Sequence, residues 1–208
     1  MAVRFVYISR WNRLWLTLGA ANADETLFCG IIAKYSEPHR KYHTLRHLEE
    51  CLSHLDEVQH LAARPAEIEL ALWFHDAIYD VRRQDNEERS AEWARASAEA
   101  ASLPAEVCDR VQDLVLATCH NAGPESGDEA ILADIDLSIL GASPQRFEEY
   151  EIAIREEYNW VPRLVFDIKR RSILNEFLRR GSVFRTACFA RRFERQAREN
   201  LGRSLGRQ

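Results

Sequence analysis

The chain has 208 residues, 46% of them hydrophobic, which excludes a disordered polymer and is enough for one core of ordinary size. No apolar run approaches the ~20 residues of a membrane span, and the five cysteines are odd in number with no Cys-x-x-Cys pair, which argues against a zinc ribbon or a disulfide framework. The net charge of -5 hides an asymmetry: residues 163–208 hold 13 Lys/Arg against 4 Asp/Glu, net +9, leaving residues 1–162 at -14.

Eight glycines and six prolines predict helices throughout, and the Val/Ile/Thr alternation that marks strands is scarce. A first amphipathic helix is predicted from about Asn12 to Ala33, ended by Ser36-Glu37-Pro38-His39. The next starts near Thr44 and carries Leu45, Leu48, Leu52 and Leu55 at helical spacing. Pro65 opens a helix expected to run through His75-Asp76. Asp85-Asn86-Glu87-Glu88 opens another, and Pro104 a third that carries Val107, Val111, Leu114 and Val115. A polar loop from Asn121 to Asp128 precedes helices over Ile131 to Leu140, Phe147 to Trp160, Phe166 to Arg180 and Val183 to Leu205. The sum is an all-α chain, a single helical domain over residues 1–208 with about eight helices. Its basic segment, 163–208, interleaves Phe166, Ile168, Ile173, Leu174, Phe177, Leu178, Phe184 and Phe189 with the charges. That interleaving predicts helices packed on the acidic body and makes a nucleic-acid-binding arm the weaker reading. Trp11, Trp15, Trp73 and Trp93 are expected in the core. The opening Met1-Ala2-Val3-Arg4-Phe5 has no secretory-signal pattern, so the expectation is a cytoplasmic protein with no membrane partner.

Four segments carry candidate chemistry. His75-Asp76 sits at the end of the apolar run Ile68 to Ala77, where burying an imidazole and a carboxylate is costly unless both are satisfied; a divalent cation satisfies both. Tyr42-His43-Thr44-Leu45-Arg46-His47 places two histidines one helical turn apart, pointing away from the leucine stripe toward solvent or a cleft. Two surface histidines would read the same way. Asp134-Ile135-Asp136 holds two carboxylates about 200° apart on a helix, so one points inward and needs a partner there; a cap and a core hydrogen bond would also explain the pair. His120, after Thr118-Cys119, is either a further ligand or a partner for the helix dipole. Asn86 is either a helix cap or part of a pocket wall with Tyr79-Asp80.

The order His, then His-Asp 28 residues on, then Asp about 60 later resembles the HD superfamily of metal-dependent phosphohydrolases. Tyr42-His43-x-x-x-His47 is also similar to the first motif of cyclic-nucleotide phosphodiesterases. The match extends to small bacterial proteins described as predicted HD-superfamily phosphohydrolases, through Trp73-Phe74-His75-Asp76-Ala77-Ile78-Tyr79-Asp80, Asp85 to Ala91, Asp134 to Gly141 and Ala197-Arg198-Glu199-Asn200-Leu201. The resemblance implies an HD-like bundle whose metal ligands are His47, His75, Asp76 and one of Asp134 and Asp136. Asp136 is preferred, because Asp136-Leu137-Ser138 resembles the phosphodiesterases' Asp-Leu-Ser. It implies His43 as proton donor to the leaving oxygen, and Asp76 as a bridge if a second metal binds. His120 would take a proton from water or bind that second metal, although the two consecutive extra histidines of clear two-metal members are missing. Arg46, Arg170 and Arg171 are candidates for phosphate contact, with salt bridges as the plain alternative. The expected cofactor is a divalent ion, one of Mn, Fe, Ni, Co, Zn or Mg. The expected partner is a small phosphorylated molecule such as a nucleotide, acted on by hydrolysis. A metal-containing nucleotide sensor without turnover is the alternative, and a homodimer is open.

Overall fold

A computed structural model describes the backbone of residues 2–119 and 127–207, and among these residues there are helices and no strands. The all-α expectation holds, with ten α-helices and three short 3-10 segments where about eight helices were expected.

The single helix expected over Asn12 to Ala33 is two. α1 spans Ala2–Leu18 and α2 spans Glu25–Tyr35. Gly19 ends α1 in the left-handed region at φ +97°, a conformation that glycine adopts without a Cβ penalty. The Asp24 carboxylate then caps α2 by accepting from the Thr26 and Leu27 amides.

α3 (Leu45–Val58) buries His47, Leu48, Cys51, Leu52, Leu55 and Val58. His47 therefore belongs to the buried stripe rather than facing away from it, because the helix starts at Leu45 and its inner face is centred on 48, 51, 52 and 55. α4 (Pro65–Phe74), with proline at its first position, is apolar apart from Glu67 and Glu69 and is the central helix, in contact with α1, α3, α5 (Asn86–Ala100), α6 (Ala105–Leu116) and α7 (Asp128–Asp136). It stops at Phe74, so His75-Asp76 lies just beyond the helix instead of inside it.

α7 tightens into a 3-10 segment, Leu137–Gly141, before Ser143 caps α8 (Pro144–Glu157) through the Arg146 amide. α9 spans Arg163–Arg179 and α10 spans Ala187–Arg207. α10 starts later than expected, because residues 183–186 form an irregular lead held by two carboxylates. Glu194 accepts from the Val183 and Phe184 amides, and Asp134 from those of Arg185 and Thr186.

One contiguous apolar cluster draws on every helix from α1 to α10. At its centre Trp11 meets Trp73 edge-to-face at 5.3 Å and Trp15 at 5.4 Å, and all three indoles are fully buried. Trp93 is half-buried against Phe74. In the basic segment Leu174, Phe177, Phe184 and Phe189 are buried as expected, but Ile168 and Ile173 are exposed. Among the described residues no helix is long and apolar enough to cross a membrane.

Candidate metal centre

His47 reaches the centre from the first turn of α3, His75 and Asp76 from the end of α4, and Asp136 from the end of α7. Their polar atoms converge. His47 Nε2 lies 3.1 Å from His75 Nε2, 3.2 Å from Asp136 Oδ1 and 3.4 Å from Asp76 Oδ2. His75 Nε2 lies 3.1 Å from Asp76 Oδ2 and 3.7 Å from Asp136 Oδ1. Nitrogen and oxygen donors held about 2.0–2.2 Å from one ion sit roughly 3.0–3.6 Å from each other, so this spacing fits a shared cation. Both imidazoles are buried, while both carboxylate side chains keep 17% of their exposure, which leaves the centre an opening on the acidic side.

The ring orientation of His75 is set by its other nitrogen. Nδ1–H donates to the Leu72 carbonyl at 2.7 Å, so Nε2 is the ring nitrogen turned to the centre. Asp76 is placed by its backbone. The buried Arg40 guanidinium donates to the Asp76 and Ala77 carbonyls at 2.6 and 3.0 Å and to the His43 carbonyl at 3.2 Å. One cation thus ties the end of α4 to the segment before α3.

Electrostatically the centre favours positive charge between its carboxylates. Burial pulls the His47 imidazole down, but Cys51, Tyr42, Asp136 and Asp76 outweigh it and hold it well above its ordinary value. His75 is also raised well above its ordinary value, with burial opposed by Asp76, Tyr35 and Asp136. Burial works against the Asp76 carboxylate too, yet His75, His43 and His47 bring it well below the usual range. A divalent cation would supply the charge that protons supply on the two imidazoles. A further sign of fit is the Tyr42 hydroxyl. It is buried without a protein partner, and its ring packs on His47 at 4.7 Å. Burial pushes it well above its ordinary value, with His47 and Asp136 among its electrostatic neighbours, so it stays protonated.

Cys51, one turn after His47, also belongs to the group: ligand atoms of His47, Cys51, His75 and Asp136 lie within 4.8 Å of one another. Its sulfur is 3.7 Å from both ring nitrogens of His47. A point equidistant from both lies on neither lone-pair axis, so the thiol packs beside the imidazole, and Asp76 is the better fourth donor. The spacing of four residues from His47 was the signal that could have flagged Cys51.

His43 lies two residues ahead of α3, so the two histidines do not share a helix face, although their rings are 6.1 Å apart. Glu157, at the end of α8, holds it. Oε1 accepts from the Lys41, Tyr42 and His43 amides at 2.7–3.0 Å. Oε2 accepts from the Tyr79 hydroxyl and His43 Nδ1–H, each at 2.8 Å. A carboxylate only accepts, so Nδ1 carries the hydrogen and Nε2 remains for another partner. Tyr79 also stacks on the His43 ring at 4.1 Å. Glu157 has no local signature in the sequence, because its partners lie 78–116 residues away.

The other expected site residues lie elsewhere. Asp134 is fully buried, and its carboxylate accepts from the Arg185 and Thr186 amides and the Thr186 hydroxyl at 2.7–2.8 Å, so the fallback ligand is a structural clamp. Arg46 is exposed and pairs with Glu50 and Glu149. Arg170 pairs with Glu151 and stacks on Tyr150, reaching the centre only through the Tyr150 and Tyr42 rings. Arg171 donates to the Leu205 carbonyl near the end of α10. The three guanidiniums are engaged in salt bridges, ring stacking and a helix-end bond rather than gathered at the centre. Asn86 neither caps α5 nor lines the centre; its side-chain amide clamps both backbone groups of Asp80. His120 lies outside the described residues.

No protein-family model, curated protein or solved structure matches this chain.

Proposed function

We propose that this chain is a metal-dependent phosphohydrolase of the HD type, acting on a nucleotide or another small phosphoester. The observation that supports it is the convergence of His47, His75, Asp76 and Asp136 from three distant segments, at the spacing of donors around one ion. The mixed nitrogen and oxygen set suits Mn, Fe, Ni, Co or Zn better than Ca. When bound, such an ion supplies Lewis acidity toward a phosphoryl oxygen and lowers the pKa of water.

The remaining work falls to the chain's own groups. His43 keeps Nε2 for delivering a proton to a departing alkoxide, with Glu157 fixing its tautomer and stabilising the imidazolium. The Tyr42 hydroxyl is a donor for an incoming oxygen. Because Arg46, Arg170 and Arg171 are engaged elsewhere, substrate charge is met by the cation and the histidines.

The test is metal analysis of untagged protein, paired with a hydrolysis panel of an aryl phosphate, nucleotides, cyclic nucleotides and sugar phosphates. The native chain is expected to carry about one equivalent of a transition metal and to turn over at least one compound. His75→Ala and Asp136→Asn should lose both metal and activity, whereas Asp134→Asn should keep the metal. Fully metallated protein that hydrolyses nothing across the panel would end the reading. A nucleotide-dependent shift in melting without product would identify a sensor instead.

A further inference from the structure

Large exposed apolar side chains among the described residues are concentrated in one stretch of the chain. Eight are exposed, and six of them fall between residues 152 and 173: Ile152, Trp160, Leu164, Val165, Ile168 and Ile173. Leu164 keeps 73% of its exposure and Ile168 62%, values unusual for side chains of this size on one short stretch of a monomer. Four of the six lie on α9. Its inner face is taken up by Arg170, Leu174 and Phe177, so the outward face is the one left over.

The order of residues along that face is informative. Val165, Ile168, Ser172 and Arg179 fall on one stripe at the 3-4 spacing of helices that pair side by side. Along this stripe Val165 and Ile168 lie in the first half, Arg179 with Glu176 at its edge in the second, and small Ser172 in the middle. Lys169 and Glu176 lie seven residues apart on one flank of the stripe, and both are exposed. A parallel neighbour would set like against like. An antiparallel copy of the same helix sets each half against its complement.

We infer that α9 is a self-association surface, and that the chain forms a two-fold dimer through antiparallel α9 helices crossing at Ser172. In that arrangement Val165 and Ile168 lie over the aliphatic stems of the partner's Arg179 and the partner's Glu176. Ser172 meets the partner's Ser172, where its small side chain lets the backbones approach. Lys169 pairs with the partner's Glu176, and symmetry makes that pair twice. The interface is isologous and closed, so it ends at two copies. The metal centre is built from other helices, and this inference does not depend on the phosphohydrolase reading.

Sedimentation or light scattering over a range of concentrations tests it. The native protein should show twice the chain mass of 24.1 kDa at micromolar concentration. Ile168→Asp should sediment at the single-chain mass with an unchanged helical circular-dichroism spectrum. Lys169→Glu and Glu176→Lys should each weaken the dimer about tenfold, since each reversal sets two like-charged pairs together. The double variant should regain native association. A native chain that stays at the single-chain mass would overturn the inference, as would a dimer indifferent to Ile168→Asp. If the double swap failed to restore what the single reversals lost, the antiparallel register would be wrong.

Discussion

Glu157 concentrates five hydrogen bonds on one buried carboxylate, and its ionisation is correspondingly displaced. Burial alone would raise it, but the bond and charge of His43 and the Lys41 and His43 amides outweigh burial and lower it to about 2 from an ordinary 4.5. A carboxyl group with a lowered folded-state pKa contributes stability above its unfolded pKa and loses it as pH falls toward the folded value. Relative to Glu157→Gln, the native protein should therefore be more stable at neutral pH, by on the order of 3 kcal/mol. That advantage should shrink between about pH 4.5 and pH 2, a trend that urea unfolding of both proteins across this window would reveal. None of this could be read at residue 157 itself, where a glutamate at a helix end looks like any solvated acid. His47, His75 and Asp76 were legible because imidazoles and carboxylates beside apolar runs need a reason to be there. Asp134 was ambiguous for the same cause: its burial is real, but the donors that satisfy it are the Arg185 and Thr186 backbone and the Thr186 hydroxyl.

Helices opened by proline were the easiest to anticipate where the proline was read as a start, as with Pro65 at the first turn of α4 and Pro104 just before α6; Pro144 was read as the stop of the preceding helix, although it stands at the first turn of α8. The break at Gly19 was missed because the apolar periodicity of Asn12 to Ala33 continues across it, while a single left-handed glycine and the Asp24 cap decide the geometry. The 3-10 segment Leu137–Gly141 shows a different kind of constraint. It runs against α10, and a Cβ on Gly141 would stand 2.5 Å from Phe193 Cβ and 2.8 Å from the Phe193 carbonyl oxygen. Both obstacles are held by helix backbone, so neither swings away. Gly141→Ala is expected to lower stability by about 1–3 kcal/mol, measured by denaturant unfolding. Its effect on metal content should be smaller, because α10 supplies no ligand.

Across the whole molecule, a cation at the centre would link α3, the end of α4 and the end of α7, stabilising the native state over an unfolded chain whose ligands are dispersed. In the ion-free protein His47 and His75 are raised well above their ordinary values and Asp76 is lowered. Binding of a metal here would displace protons from the imidazoles, and affinity should rise with pH. The shift in melting temperature produced by a fixed concentration of Mn or Zn is expected to grow from pH 6 to pH 8; a shift independent of pH would contradict this linkage. From its own residues the chain settled the broad outcome: helix-rich composition with few glycines and prolines matches the absence of strands among the described residues, and the apolar spacings mark where most helices run. Tertiary structure alone decided which polar groups meet. Periodicity specifies which face of a helix is buried, but not which other helix covers it. The pairing of His43 with Glu157, the diversion of Asp134 to the lead into α10 and the uncovered face of α9 all depend on packing between segments far apart in sequence.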